Sequence, residues 1–322
     1  MLYIIRPTYF MCSYILQGIA DLDGVCMVDY EKRRGSLKDK LLRLLRAYWV
    51  KRRGLWLRRV LSEPLADTIG SVKPTDSVLF FGMENLKDLR IMEQELPGVK
   101  KHAFLWNTVS SRYPKGQPLR DFRSFVNHTT MEVSTFDPQD ACDYGLQLLP
   151  QVYRCPDTRS VLSAPLQTGS VFFIGKDKQR SKHLAYIAQL LRAAGCAIDF
   201  HILKDKSTNE EPALAAFYVN EGLSYTDTLQ HISQCGCILE VVQEGQTGPT
   251  LRSLEALFLD RKLMTTNSGI ARCDFFSEHN ILVLTGSTTA DDIRRFLNTP
   301  LMPVSPAVKD RYDIRTWIKR FL

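Results

Sequence analysis

The chain has 322 residues, 44% of them hydrophobic and 24% charged. It is too long for one small core, ordinary in composition for a globular protein, and fits two domains of about 150 residues each. Its net charge of +7 points to anionic partners, whether phosphates, nucleic acid or acidic lipid, without choosing among them. No run of 18 or more apolar residues occurs, which excludes a membrane-spanning helix. The start lacks the basic-then-apolar order of a secretory signal.

In chain order, LYIIRP (2–7) reads as a buried strand, SYILQGIADL (13–22) as a short amphipathic helix and GVCMVDY (24–30) as a second strand ending at Asp29. That is the opening of an α/β sheet. No G-x-G-x-x-G links the first strand to its helix, so it is not a dinucleotide-binding start. Residues 37–61 set Leu37, Leu41, Leu44, Leu45 and Tyr48 on one helical face. They carry nine basic residues against the single acid Asp39, with Trp49 and Trp56 among them. Such a basic amphipathic helix is suited to an anionic lipid surface. A solvated helix packed by its leucines is the plainer alternative, and no nucleic-acid-binding signature accompanies the charge.

DSVLFFGM (76–83) and KHAFLWN (101–107) follow as strands, the helix between them stopping at a Pro-Gly pair. In 133–153 a strand leads to Asp137-Pro138, which opens a short helix ended by Gly145. Residues 154–169, with Pro156, Pro165 and Gly169, read as the linker. The second half alternates more plainly: strand 170–176, helix 181–195, strand 197–203, and helix 224–235 capped by Ser224 or Thr226. Strand 236–242, helix 250–259, strands 262–266 and 280–284, and helix 290–297 complete it. Strands alternating with helices predict parallel sheets covered on both faces. The eight cysteines show no metal-ligand spacing, and Cys235-Gly-Cys237 lacks the second pair that zinc needs. They read as buried thiols in a reducing cytosol.

Ligands of doubly wound sheets sit beyond the carboxyl ends of the strands. Three segments of the second half meet that condition. GKDKQRSK (175–182) offers Lys176, Lys178, Arg180 and Lys182 beside a helix start, a phosphate cradle or a basic solvent loop. In EGQTGPTLRSLEALFLDRKLMTTN (244–267), Thr247-Gly248-Pro249-Thr250 enters a helix whose N–H groups can receive a diphosphate. There Arg252 opposes the helix dipole yet suits a bound anion, and Glu255 lies one turn on, placed for a ribose diol. TTNSG (265–269) ends the next strand and can line the same place.

These segments resemble the donor-nucleotide region of GT-B glycosyltransferases. With FLWNTVSS (104–111), STFDPQDACDYGLQLLP (134–150), CDFFSEHNILVL (273–284) and the two ends of the chain, they resemble a bacterial family of surface-polysaccharide (capsule, lipopolysaccharide, exopolysaccharide) glycosyltransferase-like proteins. The resemblance implies two Rossmann-like doubly wound domains facing across a cleft, a nucleotide-sugar donor as substrate, no separate cofactor and no metal. The domains expected are 1–155 on the acceptor side and 165–303 on the nucleotide side, with 304–322 a C-terminal helix able to pack back on the first. Lys176, Arg180, Thr247, Gly248, Thr250, Arg252 and Glu255 are the expected donor-binding residues. Asp137, Asp29 and Glu84, acids at strand ends of the first half, are the candidates for the catalytic base. The acceptor expected is a glycan or lipid-linked molecule, reached from the cytoplasm or from the inner face of the membrane.

Two positions depart from the pattern. The commonest retaining enzymes of this fold carry a second glutamate eight residues before the one matching Glu255, where this chain has Thr247; Glu244 is out of register. A family-like Y-x-W-D reads FLWN, with Asn107 in place of the acid. Both departures keep a non-catalytic scaffold in view. An epimerase or hydrolase of related fold needs clustered acids and histidines, and the six histidines do not cluster in sequence.

Overall fold

The computed structural model describes residues 1–30, 63–156, 165–243 and 245–322. The basic segment 37–61 and Glu244 therefore lie outside the described residues. The chain divides into one unit of Met1–Pro150 with Ile314–Leu322, and a second of Gln151–Asp313. No helix among the described residues is long and apolar enough to cross a membrane.

The first unit is built on β1 (Leu2–Arg6), β2 (Val25–Asp29), β3 (Ser77–Phe81), β4 (Lys100–Leu105), β5 (Glu132–Thr135) and β6 (Gln147–Leu148), in spatial order β2-β1-β3-β4-β5-β6. Every pairing is parallel. Leu2–Ile5 of β1 and Val78–Phe81 of β3 are unbroken apolar runs, buried along their length, as suits strands covered on both faces. Ile5, Phe80 and Ala103 fall in one row across the register and pack into one core. Phe81 and Phe104 face the other way, and the C-terminal tail covers them: Trp317 lies edge-on to both at 5.9 and 4.9 Å, and its Nε1–H donates to Pro150 O at 2.9 Å.

The second unit repeats the plan with β7 (Gln167–Lys176), β8 (Ala197–Leu203), β9 (Tyr218–Val219), β10 (Cys235–Glu240), β11 (Lys262–Thr265) and β12 (Ile281–Val283), in order β12-β11-β10-β7-β8-β9, again all parallel. In each sheet the chain first winds one way and then restarts on the other side of its first strand. The switch points are therefore β1/β3 and β7/β10, and crevices open there beyond the carboxyl ends of the strands.

Several elements differ from the sequence reading. The first helix is Phe10–Leu16, continued by a tighter turn at Gln17–Ile19, in place of 13–22. Gln117–His128 is a full helix that was not anticipated, though Leu119, Phe122, Phe125 and Val126 bear its apolar stripe. Part of the expected linker is strand, since β7 begins at Gln167. The tail is two helices: Pro306–Tyr312 stays with the second unit through Lys309–Asp260 and Tyr312–Asp274 contacts, and Ile314–Trp317 belongs to the first. Asp137 caps helix Pro138–Tyr144, and Gly145 ends it in the left-handed conformation at φ 64°, which a β-carbon disfavours. All eight cysteines are free; Cys142 and Cys155 are exposed, against the buried-thiol expectation.

Candidate functional site

A buried polar group of the second unit lies at the ends of β10 and β11. Glu240, the last residue of β10, is only 2% exposed. Its Oε1 accepts from Thr250 Oγ1 and from Ser253 Oγ (2.7 Å), and its Oε2 from Thr265 Oγ1. One carboxylate thereby ties β10 and β11 to the first turn of helix Leu251–Phe258. Thr250 caps that helix, accepting from Arg252 N at 3.0 Å. Asn267 completes the frame: its Nδ2 donates to Gly248 O at 2.9 Å, and its Oδ1 receives Gly269 N–H at 2.9 Å. A β-carbon on Gly269 would stand 2.2 Å from Thr247 O, so glycine is required where the 247–250 turn closes on this loop. Thr247, Gly248 and Thr250 are thus shaped by Asn267, which lies in the TTNSG segment, and by Glu240, which the sequence reading did not single out.

Across the switch point stands Arg180. Its Nε donates to Asp177 O (3.0 Å), Nη2 to Lys176 O and Nη1 to Val241 O, so the guanidinium bridges the ends of β7 and β10. The expected free phosphate ligand is instead a clamp on three carbonyls, which corrects its assigned role. Beneath it the buried Asp177 accepts from Ser181 Oγ at 2.5 Å. Lys178 and Gln179 sit in the left-handed region at φ 49° and 63°, strain of the kind that gathers at functional loops. The turn leaves Lys176 and Lys178 exposed. Partial burial, with Arg180 and Lys176 as like-charged neighbours, lowers the Lys178 pKa. A bound anion would relieve that repulsion.

Glu255 is 0% exposed and both oxygens are engaged: Oε1 accepts from Tyr225 OH at 2.9 Å, Oε2 from Arg252 Nη1. Behind it Tyr225 OH meets Tyr153 OH. Burial raises the Glu255 pKa and outweighs the lowering by Arg252. A carboxylate so enclosed does not present itself to a ribose, so that expectation is corrected; it holds Arg252. The Arg252 side chain, in the first turn of its helix, stays 25% exposed. Sequence spacing indicated both as donor ligands, and the structure pairs them with each other.

In the first unit the three candidate acids separate. Asp29 pairs with Arg6 at 2.7 Å across β1 and β2. Asp137 is wholly buried, its Oδ1 accepting Gln139 and Asp140 N–H at 2.9 and 3.2 Å. That carboxylate serves its own helix, against the role of base. Glu84 follows β3 and lines a cavity of about 340 Å³ with Pro7, Tyr9, Tyr30, Asp88 and Arg112, at the β1/β3 switch point. Its Oε1 accepts Trp106 and Asn107 N–H at 2.8 and 2.7 Å; its Oε2 accepts Asn107 Nδ2–H at 2.8 Å, with Arg112 3.6 Å away. Asn107 is thus matched to Glu84, since an aspartate there would set two carboxylates in contact.

Asp140 supports the same turn, its Oδ2 accepting Val109 N–H at 2.7 Å. Burial, helped by Asp137 and Asp143, lifts its pKa to about 6 against the hydrogen bond from Val109. The folded state therefore binds this proton more tightly than the unfolded chain, and the group favours folding more as pH falls from about 6 to about 4. Asp140→Asn is expected to be at least as stable at pH 7. Its advantage over the wild type, up to about 3 kcal/mol, should shrink between pH 6 and 4 in paired urea titrations. A difference independent of pH would refute the assignment.

No family model matches the chain, and no curated protein matches it. Solved structures do. Anabaena HepE in complex with UDP-glucose superposes with TM-score 0.60 at 9% identity, covering 100% of this chain and 98% of that one. Sucrose-phosphate synthase from Thermosynechococcus elongatus gives 0.58 at 12% identity, covering 99% and 96%. TarM gives 0.50 at 10% identity, covering 77% of this chain and 53% of TarM, so the chain spans about half the length of that protein. At these identities the likeness shows the fold, GT-B, with its two Rossmann-like α/β units.

Proposed function

We propose that this chain is a glycosyltransferase that moves a sugar from a nucleoside-diphosphate donor to a surface-polysaccharide or lipid-linked acceptor. The observation that carries the reading is Arg252, held at a helix start by the buried Glu255 beside the ends of β10 and β11. A guanidinium fixed on one side and open on the other is built for a diphosphate. The exposed Lys176 and Lys178 add charge at the neighbouring strand end, and the helix start adds its dipole. Anabaena HepE, which shares the fold, is seen with UDP-glucose, which favours a uridine nucleotide.

In this reading the acceptor oxygen forms its bond to the sugar C1 as the bond from C1 to the diphosphate oxygen breaks. The nucleoside diphosphate leaves with the electron pair, and Arg252 with the helix start stabilises its charge in place of a divalent ion. The acceptor hydroxyl gives up its proton to a carboxylate as it attacks, and Glu84 and Asp88, which line the cavity at β1/β3, are the acids placed for that. The sequence of 37–61, nine cations against one acid, supports placement at the cytoplasmic face of an anionic membrane.

The test is thermal melting with UDP-, GDP-, CMP- and dTDP-sugars, with and without EDTA. One nucleotide class should raise Tm in both conditions, and Arg252→Ala should weaken its affinity about 10- to 100-fold, the worth of a charged hydrogen bond. No shift with any donor would favour a non-catalytic scaffold.

A further inference from the structure

His231 stands 32 residues from Asp199 in sequence, and the fold brings it onto Asp199 and His201. Asp199 and His201 are two apart on β8 and so point from the same sheet face, and His231 comes down on them from the last turn of helix Tyr225–Gln234. Asp199 Oδ1 is 2.9 Å from His201 Nε2, and Asp199 Oδ2 is 2.6 Å from His231 Nδ1. The three donor atoms lie within 4.8 Å of one another, the one such group among the described residues. Phe172 stacks on the His231 ring at 5.3 Å and 15°, and the two imidazoles meet edge-to-face at 4.7 Å.

We propose that Asp199, His201 and His231 form a binding site for a divalent transition ion of the zinc class, in which His201 Nε2, His231 Nδ1 and an Asp199 oxygen are the ligands. Two imidazoles and a carboxylate suit zinc and its neighbours better than magnesium or calcium, which take oxygen. Zinc bonds of about 2.0–2.2 Å in a tetrahedron set donors about 3.3 Å apart, so small rotations about the side-chain bonds suffice. The side chains are 20%, 33% and 37% exposed for His201, His231 and Asp199, which gives the ion an entry and leaves a fourth position to water. Asp199 pairs with Phe172 in the β7–β8 register, and Phe172 in turn with Ile238 of β10. The cluster therefore sits at mid-strand on the sheet face, away from the carboxyl ends where Arg180 and Glu240 lie. An ion there would fasten β8 to helix Tyr225–Gln234 and take no part in sugar transfer.

The full chain, stripped with EDTA, is titrated with Zn²⁺ and separately with Co²⁺. One ion per chain should bind and raise Tm. Co²⁺ should give the visible absorption of a four- or five-coordinate nitrogen/oxygen site, and Zn²⁺ should protect two histidines from diethyl pyrocarbonate. His201→Gln and His231→Gln should each weaken binding at least 10-fold while keeping the donor-induced Tm shift. Three results would each overturn the site: no response of wild-type Tm, spectrum or histidine modification, a response surviving when His201→Gln and His231→Gln are combined, or a sulfur-to-cobalt charge-transfer band, which would assign the ion to cysteines. The histidine protection is read in wild-type protein, so the site stays testable if a variant misfolds.

Discussion

Replacing Glu240 by alanine is expected to destabilise the second unit by about 3–5 kcal/mol, the cost of breaking a buried charged network. Glu240 accepts three hydroxyl hydrogen bonds, from Thr250, Ser253 and Thr265. In the alanine variant all three donors lose their acceptor where water is scarce, Thr265 being fully buried and Ser253 nearly so. Glu240→Gln should cost less, about 1–2 kcal/mol. Its amide NH₂ cannot accept the Thr265 hydroxyl proton, and that oxygen already receives Asn267 N–H at 2.9 Å. Urea denaturation followed in the second unit reads both losses. Because Thr250 and Thr265 shape the turn that carries Arg252, the donor-induced Tm shift should weaken in the glutamine variant before folding fails. A variant as stable as wild type would show that the hydroxyls find other partners and that Glu240 is dispensable.

That prediction rests on a residue the sequence left unremarked, and the reason is physical. Periodicity reports which face of an element is apolar, and it placed β1, β3, β7, β8 and β10 to within three residues. Punctuation by Asp137-Pro138 and Gly145 placed a helix whose cap and stop the structure contains. Strand ends also pointed to one region of the fold, since Lys176, Arg180, Thr250 and Arg252 gather at the carboxyl ends of the second sheet. Hydrogen-bond direction is another matter. Whether Arg180 faces a phosphate or three carbonyls depends on Val241, 61 residues away. Whether Glu255 faces ribose or Arg252 depends on Tyr225, 30 residues before it. Glu240 reads in sequence as one acid ending an apolar run, and only the register of β10 and β11 supplies its hydroxyl partners. The same limit hid Asp199, His201 and His231. Asn107 went the other way: a seeming loss of an acid becomes, beside Glu84, a matched donor.

The tail offers the second large effect. Trp317→Ala should destabilise the first unit by about 3–5 kcal/mol, the usual range for a large aromatic removed from a core. Trp317 is fully buried and packs on Phe81 and Phe104 from β3 and β4, with Phe321 at 5.0 Å. Its loss would also leave Pro150 O without the indole N–H that now meets it at 2.9 Å. Trp317→Phe keeps most of the ring contact and gives up the hydrogen bond, so it should cost roughly 1–2 kcal/mol. The tail joins the first unit through this contact together with Phe321 on His102 and Arg315 on Asp21, so the location of the loss is informative. Hydrogen exchange should show faster opening at β3 and β4 in the alanine variant, with β10 and β11 protected as in wild type. Equal loss in both sheets would mean that the two units unfold as one cooperative body. Unchanged protection at β3 and β4 would mean that the tail lies on the first sheet without stabilising it. Unchanged protection would then predict that a chain cut after Asp313 still forms the first unit, whose cavity at β1/β3 we propose for the acceptor.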